Sequence, residues 1–234
     1  MKLKELRAIV EKMVGEPTIR DLDRINKYVP IGFKPVEAIE VVKFPIVGAD
    51  NLVNRSFGRW PADEVKAFNK LTPGIPLMLD HAWLVDKGRG IVFDSKTIEL
   101  DEAPDWAMKR AGNAQRNKMA MKRDGRYVLN VAVAAVPVGN PLLEQMRLGM
   151  ACASYGGFDY SDIICPLCNI SFNDEACPHH IPSPYGYGSG QSKDVAPFYE
   201  RAGLFDVCEL SVVWAGNLPA AGLFRNHQLP EVAA

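Results

Sequence analysis

The chain has 234 residues, 47% of them hydrophobic and 24% charged, with a formal net charge of -1. This is the make-up of an ordinary globular protein with room for one sizeable domain plus an insertion, and its near-neutral charge supplies no global field for nucleic acid or an anionic surface. No run approaches the roughly 18 apolar residues of a membrane helix, and the evenly charged start Met1 to Arg7 is unlike a signal peptide, so a cytoplasmic location is expected.

Leu3, Leu6, Ile9, Val10, Met13 and Val14 recur at helical spacing and Gly15 closes the run, which predicts an amphipathic first helix. It could pack on its own domain or on another subunit. Residues 16–38 carry Pro17, Pro30, Gly32 and Pro35 and read as an arm with one helical turn near Ile19–Ile25. Residues 1–38 are therefore set apart from a main domain of residues 39–224, with a tail at 225–234.

Ile39–Val47 reads as the first strand, with Pro45 implying an edge or bulge. Pro61 opens a helix that ends near Leu71, with Asp63 and Glu64 suited to its first turn. Ile75–Leu79 is a short apolar strand delivering Asp80-His81. Gly90–Phe93 and Thr97–Leu100 read as two strands, and Asp105–Arg123 as one basic helix with a solvated face. That run lacks the interleaved aromatics of a single-strand binder, which argues against nucleic acid. Tyr127–Val138, β-branched and apolar on both faces, is the strongest strand signal.

Leu142–Gly149 has the spacing of a short helix closed by a glycine, after which Met150–Ser154 reads as a strand breaking at Gly156-Gly157. A serine at a strand end beside two glycines is a candidate nucleophile, with free backbone N–H groups close by for an oxyanion. Residues 159–198 read as an insertion containing Cys165-Pro166-Leu167-Cys168 and Cys177-Pro178-His179-His180. A C-x-x-C turn presents two thiolates to one ion, and the second group closes a tetrahedron, with either His179 or His180 as fourth ligand. Thiolate and imidazole donors at this spacing point to structural zinc. Cys152 and Cys208 read as small buried apolar residues. Cys208–Trp214 is the last clear strand.

His81 is a candidate base for Ser154, because an imidazole near neutral pH is the usual activator of a serine hydroxyl. Glu209 could orient it, with Asp80 and Asp206 as competing acids. The expected fold class is α+β, a small mainly antiparallel β-barrel with flanking helices.

Four segments in order resemble the bacteriophage prohead protease family, the capsid maturation proteases related in fold to the herpesvirus assemblins. They are Val53-Asn54-Arg55, Gly74–His81, the stretch through Gly149 to Ser154-Tyr155-Gly156-Gly157-Phe158, and Glu209–Ala221. The resemblance covers about residues 40–224. It implies a serine endopeptidase that cleaves scaffold and capsid protein inside the immature phage head in the host cytoplasm, with Ser154 as nucleophile and His81 as base. Its partners would be scaffold, capsid or other virion proteins, in a homo- or hetero-oligomer. Three departures stand out. The family reads Ser-x-Gly-Phe where this chain has one more glycine, no second histidine is placed to be the third member, and residues 1–38 have no counterpart. The alternative is a non-catalytic head, connector or tail component on the same fold.

Overall fold

The structure is a computed structural model and describes residues 3–82, 84, 88–112, 114–147, 152–182, 196–213 and 222–223. Eight strands are present among them: β1 (Val41–Asp50), β2 (Gly58–Arg59), β3 (Pro76–Leu79), β4 (Gly90–Leu100), β5 (Tyr127–Pro137), β6 (Cys152–Ile164), β7 (Tyr199–Val213) and β8 (Gly222–Leu223). Six α-helices accompany them: α1 (Leu3–Glu11), α2 (Ile19–Asn26), α3 (Ala62–Leu71), α4 (Asp105–Ala111), α5 (Ala114–Asp124) and α6 (Pro141–Arg147).

The strands form one mixed sheet in the order β2-β7-β3-β4-β5-β1-β8, with β6 paired to β7. The β2–β7 and β3–β7 pairs are parallel and the others antiparallel. Strand β5 is buried along ten successive residues, because apolar layers cover both of its faces. One layer holds Val65 and Phe68 of α3 against Phe44, Ile46, Val128, Ala132 and Val136. The other holds Leu6, Val10 and Met13 of α1 and Ile25 of α2 against Leu129, Val131 and Val133.

Helix α1 therefore packs on its own sheet. The arm after it is also fastened. Thr18 and Asp21 form a reciprocal capping box at the start of α2, Gly15 pairs with Lys43 of β1, and the buried Lys43 ammonium reaches Asp21 at 2.6 Å.

Several boundaries differ from the sequence expectation, each for a local reason. The two strands expected at residues 90–100 are one, since the ladder shifts register between Val92 and Asp94 and then continues through Asp94 and Ser95. The basic helix is two, broken at Gly112, which adopts φ 65°. Strand β6 passes through Gly156 and Gly157 and continues to Ile164, so the insertion proper is residues 165–198. The sheet is α+β but open. Among the described residues no ladder joins β6 to β1 or β8, although β6 packs beside both. Tyr155 fills the space between them: a Cβ on Gly48 of β1 would overlap its ring.

Candidate functional site

Strand β3 ends by pairing Leu79 with Val212, and the chain then turns sharply. Asp80 and His81 both have φ 55°, and the Ala82 N–H closes the turn on the Leu79 carbonyl at 3.1 Å. Two successive left-handed non-glycine residues cost of order 1–2 kcal/mol each. Two hydrogen bonds to β7 hold them there. Asp80 N–H donates to the Val212 carbonyl at 3.0 Å, and His81 N–H donates to Ser211 Oγ at 3.0 Å.

The turn brings His81 over one face of β6 and β7. Its Nδ1 meets Glu209 Oε1, and the other oxygen of that carboxylate accepts the Ser211 hydroxyl proton. A carboxylate only accepts, so Nδ1 carries a proton, and in the neutral imidazole Nε2 holds the lone pair. Glu209 and Ser211 are both fully buried, while His81 stays exposed to solvent. Glu209, rather than Asp80 or Asp206, orients the imidazole. The Asp206 carboxylate instead accepts the Val207 N–H at 2.8 Å.

Ser154 lies directly opposite Ser211 in the β6–β7 ladder, and Gly156 directly opposite Glu209. Cross-strand partners share a face, with Cβ atoms about 4.5–5.5 Å apart. Ser154 is therefore on the same face as the His81–Glu209 pair. Its hydroxyl donates to the Tyr155 carbonyl at 3.4 Å, and it makes no hydrogen bond to His81.

The first glycine of the pair has a different use from the free turn expected of it. A Cβ on Gly156 would overlap Glu209 Oε1 and stand 2.5 Å from His81 Nδ1. Only a glycine leaves room for the carboxylate and imidazole to meet above the strand. Ser211 is not among the candidate site residues read from the sequence, and Gly156 is read there only as part of a strand break. The signal for Ser211 was present, because Glu209 and Ser211 are two apart on a strand and so share a face.

Tyr155, next to Ser154, points to the opposite face and is locked there. Its ring stacks on Phe68 at 4.7 Å between centroids, and its hydroxyl donates to Asn130 Oδ1 at 2.7 Å.

A second cluster lies at the far end of β6. The side-chain donors of Cys165, Cys168, Cys177 and His179 all fall within 4.8 Å of one another. Cys165 Sγ is 3.5 Å from His179 Nδ1, and Cys168 Sγ is 3.7 Å from Cys177 Sγ. For a tetrahedron with metal–sulfur bonds of about 2.3 Å and metal–nitrogen bonds of about 2.0–2.1 Å, the edges would be about 3.8 Å and about 3.6 Å. The donors fit one ion. His180 is outside the cluster and exposed, so the choice left open between the two histidines falls on His179.

The turn Cys165–Ile170 is closed by backbone hydrogen bonds. Cys165 N–H donates to the Ile170 carbonyl and Asn169 N–H to the Cys165 carbonyl, both at 2.9 Å. Burial pushes the Cys165 thiol up, with Cys168 beside it acting the same way. At Cys168 desolvation also acts upward, but the Ile170 N–H and the neighbours His179, Cys165 and Cys177 outweigh it and bring the thiol down to about 7.

Arg123 of α5 docks this turn on the sheet. It donates to the Pro166 carbonyl at 2.8 Å and to Asn169 Oδ1 at 2.7 Å, and pairs with both oxygens of Glu200 on β7. The buried Arg59 pairs with the same Glu200 at 2.9 Å and with Asp124 at 2.7 Å. Within the basic run, Arg123 is thus a strut and not part of a solvated face. Cys208 is half-buried beside Asp206 and not enclosed as expected, and the side chain of Cys152 lies outside the described residues, as does the end of the Glu209–Ala221 segment.

No family model, curated protein or solved structure matches this chain.

Proposed function

We propose that the chain is a serine endopeptidase of the prohead-maturation kind, acting on scaffold or capsid protein, with Ser154 as nucleophile, His81 as general base and Glu209 orienting the base. The observation that carries this is the buried Glu209 gripping His81 Nδ1 on the strand face that also bears Ser154. In that role Nε2 takes the proton from Ser154 Oγ as the hydroxyl attacks the scissile carbonyl. Glu209 then stabilises the imidazolium, which returns the proton to the leaving amine. Apo enzymes often hold such hydrogen bonds loosely. On the same reading the open sheet, its two ends brought side by side around Tyr155, is the barrel-like body of such a protease. The three thiolates and His179 hold one zinc ion, which with four protein ligands has no open position for catalysis.

A second reading, a non-catalytic virion component on the same fold, is favoured by the Ser154 hydroxyl bonding Tyr155 and not His81. Co-expression with scaffold or capsid protein separates the two. Ser154→Ala should lower cleavage by roughly 10⁴ or more at unchanged melting temperature. Equal processing by wild type and Ser154→Ala removes Ser154 from the mechanism, and no processing by either favours the structural component.

A further inference from the structure

Ser211 is fully buried and its hydroxyl is used twice. A hydroxyl has one proton to give and two lone pairs to receive. Here the proton goes to Glu209 Oε2, and one lone pair takes the backbone N–H of His81 at 3.0 Å. The second oxygen of the same carboxylate holds the imidazole Nδ1. The bonds form a closed loop: His81 backbone to Ser211, Ser211 to Glu209, Glu209 to the His81 ring. A serine serving only to satisfy itself in a sheet would need one partner, and any nearby carbonyl would do.

We infer that Ser211 is a positioning residue for the reaction, fixing the backbone of His81 directly and its ring through one buried carboxylate; this rests on the peptidase reading above. Three features support it. The loop holds a residue whose φ of 55° is unfavourable for histidine, so the backbone bond to Ser211 has strain to offset. Pinning both carboxylate oxygens fixes the rotation of the Glu209 head group, and with it the direction from which Nδ1–H must approach. Ser211 is also the ladder partner of Ser154, so the residue that sets the base is in register with the candidate nucleophile. Without the hydroxyl, Glu209 loses a fixed orientation, and the ring is free to present either nitrogen.

The test is the tautomer of His81 read from its ring nitrogens by NMR, alongside steady-state cleavage of a scaffold-derived peptide. The chain has four histidines, and the His81 signals are identified by their loss in His81→Gln. Wild type should show a single Nδ1–H tautomer. Ser211→Ala should show a mixture with Nε2–H, and kcat should fall about 10- to 100-fold with KM changed less than about twofold, the scale of one lost hydrogen bond to a charged group. Ser211→Cys keeps the side chain close to size with a weaker donor and should fall between, which covers the case in which the alanine variant folds poorly. An unaltered tautomer in both variants, or a kcat within about twofold of wild type, overturns the inference. If wild type neither cleaves nor reacts with a fluorophosphonate, the peptidase reading fails. The ring spectrum still decides in that case whether Ser211 fixes His81.

Discussion

Gly156→Ala adds one methyl group where the candidate site is tightest. The new Cβ would overlap Glu209 Oε1 and lie 2.5 Å from His81 Nδ1. Glu209 cannot give way to solvent, because it is fully buried and its other oxygen is held by Ser211. Either the carboxylate is displaced or the strand moves. Overpacking alone costs about 1–3 kcal/mol, and a buried carboxylate that loses one charged hydrogen bond adds about 1.5–3 kcal/mol. Partial relaxation makes about 3 kcal/mol a reasonable sum, which for a chain of this size lowers Tm by roughly 6–12 °C. Gly157→Ala is the control. Gly157 has φ 56°, so alanine there costs about 1–2 kcal/mol of backbone strain, and it is Gly156, not Gly157, that lies opposite Glu209 in the ladder. Differential scanning calorimetry and peptide cleavage on both variants test the geometry. Gly156→Ala should lose activity well beyond its loss of stability, and Gly157→Ala should not. A Gly156→Ala protein that melts within about 2 °C of wild type and retains cleavage would refute the placement of Glu209 over this strand.

Protein purified without added metal should contain one zinc per chain by elemental analysis, and chelation or Cys168→Ser should lower its melting temperature; a metal-free protein of equal stability would show that the cluster holds no structural ion. Deleting residues 1–15 removes Leu6, Val10 and Met13, each at most 4% exposed. At about 1.5–3 kcal/mol per buried side chain the loss approaches the whole stability of a typical domain, so melting should collapse with no change in association by size exclusion, and a truncated protein melting within about 3 °C of wild type contradicts the packing. Burial raises the Asp50 carboxyl to about 6 against hydrogen bonds from Leu52 N–H and Tyr127 that act downward. A raised folded-state value favours the protonated form, so this contribution is complete below about pH 4 and fades as pH rises through 6. Asp50→Asn should flatten stability between those values and gain up to about 3 kcal/mol at pH 7–8, and an unchanged pH profile of chemical denaturation would rule this out.

Elements whose apolar pattern reports burial directly were legible. Strand β5 shows as an unbroken apolar run because two cores cover it, and α3 shows through Pro61 and its acidic first turn. What stayed hidden depended on contacts distant in sequence. Gly156-Gly157 looks like a break until Glu209 arrives from a strand some fifty residues later to occupy the missing side chain's space. Asp94-Ser95 looks like a turn, yet Ser95 accepts from Asn130 Nδ2 at 2.8 Å across the sheet. The four clustered donors were readable because their spacing is local, but the choice of His179 needed the fold of the turn. Glu209 was reachable as an acid at a strand start, whereas its partner Ser211 looked like one more polar residue in a strand.

The two clusters sit on one long hairpin, and that shared support explains the place of the cysteine–histidine turn. Strands β6 and β7 pair from Cys152 and Val213 at one end to Ile164 and Glu200 at the other, with Ser154, Glu209 and Ser211 near the first end. The connection between them, residues 165–198, is far longer than the roughly 12–15 residues beyond which structureless loops become uncommon. The approach of Cys165 and Cys168 to Cys177 and His179 closes the first part of it into a compact unit seated on Ile164. Arg123 then ties that unit to Glu200, the first paired residue of β7 at this end, and Arg59 ties Glu200 to α5 through Asp124. Both strands are thus held at the end remote from Ser154, one by the ligand turn and one by the arginines. The register that sets Ser154 opposite Ser211, and Gly156 opposite Glu209, is fixed by the same ladder. A slip of one residue would move every side chain of β6 to the other face, taking Ser154 off the face that carries the His81–Glu209 pair and driving Tyr155 out of its contact with Phe68 and Asn130.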